Sequence, residues 1–302
     1  MNRRNAEYIM RFNPRSSFPL VDDKLKTKQL ADAHQIPIPP LYHVIQYHGD
    51  IAGLEEVFKD HQDFVVKPAR GSGGSGILLI TGHRGSHFVK PSEEILSWAD
   101  LTYHIFDILS GIYSLEGLED RALIEALIHP DPVFAAVTFS GVPDIRIVAY
   151  RGVPAMGMVR LPTRASGGKA NLHQGAIGVG IDIGKGRTLV GVHHSDIVTR
   201  HPDTDNPVSG IRIPQWESML LMAARAVDMT GLGYLGVDMV IDCERGPLLL
   251  ELNARPGLRI QIANQKGLRH RLEMIDKASR DILATPEARV EWAMEKFMVS
   301  GS

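Results

Sequence analysis

Two carboxylates and an amide, Asp238, Glu251 and Asn253, constrain this chain more than any other feature. Asp238 interrupts Gly-Tyr-Leu-Gly-Val-Asp-Met-Val-Ile, and the other two interrupt Leu-Leu-Leu-Glu-Leu-Asn-Ala-Arg-Pro-Gly. Both segments read as short apolar strands. Between them Asp242-Cys-Glu-Arg-Gly-Pro247 is a cluster of turn residues. Folding the strands into a hairpin with Ile241 opposite Leu248 brings Asp238 opposite Glu251. Opposed residues share a face, as do residues two apart, so all three polar groups gather on one side. Opposed like charges are unfavourable unless compensated. A hard divalent cation with oxygen ligands, magnesium or manganese, is the expected compensator.

Composition sets outer limits. The 302 residues have room for one large or two modest domains, and 23% charged with 44% hydrophobic residues is ordinary for a soluble protein. A net charge of −2 and no basic stripe argue against a nucleic-acid partner. The single cysteine, Cys243, excludes an internal disulfide and fits a reducing compartment. No apolar segment follows the polar Met-Asn-Arg-Arg start, and no run reaches membrane-spanning length, so the expectation is a cytoplasmic protein without membrane insertion. The 13 histidines match no usual zinc spacing.

Along the chain, residues 1–20 are expected to wrap a surface, and a helix to run from Asp22-Asp23 to about His34, stopped by Ile36-Pro-Ile-Pro-Pro40. Helices are expected over about 50–60, 92–110 and 215–229, and two more within 266–298. Strands are expected at 64–68, 77–80, 121–126, 133–139, 144–150 and 155–159, with a long loop at 163–175. This is an α+β pattern with antiparallel strands, not a regular βαβ alternation.

Between the strands at 64–68 and 77–80 sits Ala69-Arg-Gly-Ser-Gly-Gly-Ser-Gly76. Its glycines let the backbone bend and present N–H groups to an anion such as phosphate. It lacks the Gly-Lys-Ser/Thr ending of a Walker loop, and a strand follows rather than a helix. A mobile flap over a nucleotide is the reading preferred to a linker. Lys67 ends the preceding strand, where an ammonium needs an anion. Lys24 is a second cation, although spacing does not single it out from Lys26 and Lys28. Glu125 follows an apolar strand; Asp144 and Arg146 share a strand face; Lys169 and Asn171 lie in the long loop.

Taken together, Asp-Asp-Lys24-Leu-Lys-Thr-Lys, Val-Val-Lys67-Pro with its Gly-rich loop, Asp144-Ile-Arg146, Lys169-Ala-Asn171-Leu-His-Gln-Gly, Gly-Val-Asp238 and Glu251-Leu-Asn253-Ala-Arg-Pro-Gly resemble the ATP-grasp superfamily over residues 22–265. The resemblance is to its α-L-glutamate-ligase-like branch, which adds glutamate to a ribosomal protein, and to the sugar-transfer-associated ATP-grasp proteins. It implies two α+β subdomains gripping ATP, here without most of the usual N-terminal pre-ATP-grasp domain. The implied divisions are an extension at 1–21, an N-terminal subdomain at 22–124 and a C-terminal subdomain at 125–302.

The same resemblance implies that Lys24 and Lys67 contact ATP phosphates and that Gly71, Ser72, Gly73, Gly74 and Ser75 close over them. Glu125 and Ala126 would face the adenine, Asp144 the ribose or rim of the nucleotide site, and Lys169 and Asn171 the triphosphate. Asp238, Glu251 and Asn253 would hold two magnesium ions, Glu251 bridging. Arg160 would face an acyl phosphate; Arg255 departs from the ligases, which carry a small residue there, and as a cation near the metal it would bind an acidic substrate. The implied activity is an ATP-dependent carbon–nitrogen ligase that makes an amide through an acyl phosphate, with an amino acid, glutamate or a relative, or a peptide as substrate. A protein partner or oligomer would replace the absent domain. An enzyme acting on a sugar-linked or cell-surface substrate, and a nucleotide-binding regulatory module, are the alternatives.

Overall fold

The computed structural model describes residues 3–71, 73–114, 117–279, 281 and 283–299. In chain order its helices are α1 (Met10–Phe12), α2 (Pro19–Asp22), α3 (Lys24–Ala33), α4 (Leu54–Asp60), α5 (Trp98–Leu109), α6 (Trp216–Thr230), α7 (Arg259–Ala263), α8 (Arg269–Lys277) and α9 (Pro286–Phe297). The strands are β1 (Leu41–Ile45), β2 (Phe64–Pro68), β3 (Leu78–Ile80), β4 (Gly82–Arg84), β5 (His87–Val89), β6 (Ile95–Leu96), β7 (Ala122–Glu125), β8 (Asp144–Tyr150), β9 (Val153–Leu161), β10 (Ile177–Asp182), β11 (Arg187–His193), β12 (Asp196–Val198), β13 (Tyr234–Asp242) and β14 (Gly246–Asn253). The chain divides into two compact units. The smaller is 23–25 with 39–128; the larger is 1–22, 26–38 and 129–302.

The smaller unit carries an antiparallel sheet in the order β1-β7-β2-β3 and a small sheet β4-β5-β6. Phe64 and Val66 of β2 and Ala122 and Ile124 of β7 turn their side chains into one core, and α5 packs on it through Leu101, Ile105 and Ile108. Phe58, Phe64 and Phe88 interlock beneath, with ring centroids 4.3 Å and 5.3 Å from Phe58. α5 begins later than the sequence predicts. Ser97 accepts the Asp100 N–H at 3.2 Å, and Asp100 caps back to Ser97 at 2.8 Å. This capping box starts the helix at Trp98 and leaves Ile95–Leu96 to pair as β6.

The larger unit is built on a seven-stranded antiparallel sheet, β12-β11-β10-β9-β8-β13-β14. Gly157 of β9 meets Trp216 of α6 on one face. Gly180 of β10 meets the Ala263 carbonyl at the end of α7 on the other. A side chain at 180 would sit 2.7 Å from that carbonyl, so glycine lets α7 approach the strand. The predicted strand at 133–139 is instead a 3₁₀ turn over Pro132–Val137. Asp131 accepts the Val133 N–H at 2.8 Å and Pro132 occupies the first helical position, a start signal that outweighs the β-branched content. Residues 3–22 do not merely cover a surface. Tyr8 and Ile9 lie in the main core. The buried Asn13 amide donates to the carbonyls of Tyr234 and Ala254 at 2.7 Å and 2.8 Å and accepts the Tyr234 N–H at 2.9 Å.

Candidate active site

In the smaller unit, β2 and β3 pair Phe64 with Ile80, so the Gly-rich segment does connect two antiparallel strands. Gly73, Gly74 and Gly76 take φ of 64°, 81° and 74°, where glycine bends the chain without strain. Ser72 lies outside the described residues; Ser75 is exposed. The entry to the loop is fixed by a charged knot. Asp120 accepts the Arg70 N–H at 2.9 Å, and Asp23 pairs with Arg121. Lys24 donates its Nζ to the Gly71 carbonyl, and its backbone N–H to Ala69 at 2.9 Å.

Lys67 and Glu125 meet as a buried ion pair, Nζ to Oε2 at 2.7 Å, with side chains 9% and 1% exposed. The register explains it: Lys67 pairs with Leu123, and Glu125 lies two residues on, on the same face of the neighbouring strand. The anion that an ammonium in an apolar strand requires is thus present in the fold. Ala126 donates its N–H to the Pro40 carbonyl at 2.9 Å, prolonging the β1–β7 ladder.

In the larger unit Asp238 does lie opposite Glu251, and Asn253 opposite Gly236. The route differs from the expected register. Ile241 faces Pro247 rather than Leu248, and a bulge after Asp238 absorbs the extra residue and restores the pairing. Arg146 of β8 pairs with Asp238 of β13, and Arg160 of β9 with Asp144 of β8. These side chains interlock. Arg146 grips both oxygens of Asp238, with Nε to Oδ1 at 2.6 Å. Arg160 grips both oxygens of Asp144 and reaches Asp238 Oδ2 at 3.1 Å. All four side chains are at most 14% exposed.

The electrostatics follow from burial. Burial pushes the Asp144 carboxyl up to about 6, against the pull of Arg160 and with a further push from Asp238. Burial would also raise Asp238, but Arg146 and Arg160 overcome it and hold the carboxyl down to about 2. The balance on this face is two guanidinium charges against the three carboxylates Asp144, Asp238 and Glu251. Glu251 makes no ion pair among the described residues, so the excess negative charge is at Glu251.

Asn253 turns its Oδ1 to accept the Arg255 N–H at 3.0 Å, leaving that oxygen a second lone pair. Among the described residues no group of three or more His, Cys, Asp and Glu side chains is placed to hold a metal ion. A cation here would therefore rely on the Asn253 amide together with Glu251 and Asp238. Three oxygen donors on one face, with an uncompensated carboxylate, match a hard divalent ion.

The other expected residues are more dispersed. Asn171 caps the 3₁₀ turn Leu172–Gln174 through its Oδ1 and the His173 N–H at 2.9 Å. Lys169 is exposed on the same loop. Thr163 ties that loop together by donating its hydroxyl to the Gly175 carbonyl at 2.8 Å. The Arg255 guanidinium lies over the Phe18 ring, 4.9 Å from its centroid. Arg146 is the residue whose part the sequence left unassigned. Its alternation with Asp144 gave the shared face, but its partner follows only from β8 lying beside β13.

The chain matches the sugar-transfer associated ATP-grasp family over residues 3–277. It is a member of that family. No curated protein matches it in sequence. Among solved structures, the ATP-grasp ligase PsnB complexed with a minimal precursor is 14% identical, with a TM-score of 0.47, over 88% of this chain and 64% of that one. This ATP-grasp chain therefore spans less than two thirds of PsnB's length. D-alanine–D-alanine ligase from Bacillus anthracis, complexed with ATP, is 14% identical with a TM-score of 0.49, over 89% of this chain and 69% of that one. Rhizobium etli pyruvate carboxylase, with acetyl coenzyme A, is 14% identical with a TM-score of 0.51, over 91% of this chain and 19% of that one. The fold is ATP-grasp. Among the described residues no helix is long and apolar enough to cross a membrane.

Proposed function

We propose that this ATP-grasp protein is a magnesium-dependent ligase that joins a carboxylate to an amine, with an amino acid or peptide supplying one partner. The observation that carries the reading is the excess negative charge at Glu251, facing an Asp238 already neutralised by two arginines. Magnesium, or manganese in its place, would be held by Glu251, Asn253 and Asp238. When bound, it would draw negative charge from the transferring phosphoryl group.

In this reading Lys24 and Lys67 neutralise ATP phosphates, and the loop from Gly71 to Gly76 offers them its N–H groups. Lys67 would then exchange or share its present partner Glu125. Lys169 and Asn171 flank the triphosphate, Asp144 the ribose side, and Glu125 and Ala126 the base. A substrate carboxylate attacks the γ-phosphorus and ADP departs, leaving an acyl phosphate; an amine attacks the acyl carbon and phosphate departs. Nη1 of Arg160 makes no hydrogen bond among the described residues, which leaves two N–H groups for the oxyanion. Arg255 attracts an acidic substrate, glutamate or a relative.

The family's association with sugar transfer favours a second reading of the acceptor, an amine on a sugar-linked substrate. We place the enzyme in the cytoplasm because its one cysteine suits a reducing compartment. The test is magnesium-dependent ADP formation with paired panels of acids and of amino-acid, peptide and amino-sugar amines, beside Glu251→Gln. Turnover raised by one acid–amine pair and lost in the variant is the expected result. Full turnover in Glu251→Gln overturns the metal assignment.

A further inference from the structure

The far end of the Gly-rich loop is held as firmly as its entry, by residues the proposed mechanism does not use. His104, on α5, brings its Nε2 within 3.0 Å of the Gly76 carbonyl. A carbonyl only accepts, so Nε2 carries the hydrogen. The Tyr113 ring lies against Gly76, where a side chain would fall 2.6 Å from the ring. The two rings support each other, with centroids 5.6 Å apart. The next residue, Ser114, forms an isolated β-bridge with Gly71 at the loop's entry. The segment from α5 through Ser114 thus grips both ends of the loop.

The grip has a rigid base. The capping box fixes the start of α5, and Leu101, Ile105 and Ile108 anchor its buried stripe. His104 follows that stripe by one helical step and stands half-buried at its edge.

We infer that His104 and Tyr113 are positioning residues that fix the exit of the Gly-rich loop, so that Gly73 to Gly76 present their N–H groups in one arrangement to a polyphosphate. The inference rests on the reading of that loop as a phosphate cover. The experiment separates the two. Hydrogen exchange is followed in the peptide spanning residues 73–77, and binding of magnesium–ADP is measured by calorimetry, in wild type, His104→Leu, His104→Gln and Tyr113→Ala. Loss of one hydrogen bond predicts exchange about fivefold faster and nucleotide binding about fivefold weaker in His104→Leu. His104→Gln, whose amide can donate to the same carbonyl, restores both. If His104→Leu does not fold, Tyr113→Ala gives the same readout.

Unchanged exchange in a folded variant overturns the clamp, whatever happens to binding. Faster exchange that glutamine does not reverse also overturns it, since packing rather than the hydrogen bond would then be responsible. Faster exchange reversed by glutamine, in a protein that binds no nucleotide, supports the clamp and removes the phosphate-cover reading instead.

Discussion

Replacing Arg146 with methionine asks what holds Asp238 in its buried place. The pair is 13% and 5% exposed, with Nε to Oδ1 at 2.6 Å. In Arg146→Met the carboxylate keeps only the 3.1 Å contact from Arg160, which is already committed to Asp144. It also faces Glu251 across the ladder. Removing one partner of a buried ion pair costs about 3–5 kcal/mol, and the remaining arginine puts the expected loss near the lower end. In a unit of roughly 200 residues each kcal/mol shifts Tm by about 2–4 °C, so a fall of about 10 °C is expected. Urea and thermal unfolding, read by circular dichroism, measure both. The double variant Arg146→Met/Asp238→Asn recovers much of the loss, because the unpaired charge has gone. Millimolar magnesium stabilises Arg146→Met more than wild type, because the ion then meets, beside Glu251, an Asp238 held by Arg160 alone. A loss under about 1 kcal/mol, the range of an exposed pair, refutes the view that the arginines are what make Asp238 tolerable.

Lys67→Met weakens both folding and magnesium–ADP binding, whereas Lys67→Met/Glu125→Gln restores the unfolding midpoint without restoring affinity; recovery of both would deny Lys67 a phosphate role. The Asp242 carboxyl would rise on burial, but the backbone N–H groups of Arg245, His129 and Glu244 hold it below the usual carboxylate range. Its contribution is therefore complete above the unfolded value of about 3.9 and is lost as pH falls through the folded value. Asp242→Asn lowers stability at neutral pH by about 1–3 kcal/mol and flattens the acid limb, which a pH series of urea midpoints reads directly. Gly180→Val, forced against the Ala263 carbonyl, costs about 1–3 kcal/mol, while Gly49→Ala, with nothing within 4 Å of the new atom, stays within about 0.5 kcal/mol.

The hairpin and the Gly-rich connection were legible because each joins a strong local signal to a period of two. Asp238 and Glu251 came into register even though the turn was misjudged by one residue, because the bulge compensates. Other parts were hidden for physical reasons. Strands β10 and β11 carry Gly178, Gly180 and Gly191, residues that weaken a strand pattern. They are glycine because neighbours come close: Leu172 and Ala263 at 178, Ala263 and Asn264 at 180, and Ile177 and Val198 at 191. The 133–139 run looked like a strand because its apolar content outweighed Asp131-Pro132, which nucleates a turn. The arginine pairings needed the sheet order, since β9 and β8 are sequence neighbours but β8 and β13 are about 80 residues apart.

The interlocked row from Arg160 through Asp144 and Arg146 to Asp238 bears on how this sequence can drift. Each member sits against a charge of opposite sign, so a single exchange strands its neighbour, and tolerated change must come in pairs across strands. If Asp238 is tied down by metal, that freedom disappears one residue at a time: Asp238 fixes Arg146, and with Arg160 it fixes Asp144. Among homologues, positions 144 and 160 should then vary together or not at all, and position 146 should stay arginine wherever 238 stays aspartate. Glu251 stands outside this pairing, so its retention would report on the cation alone.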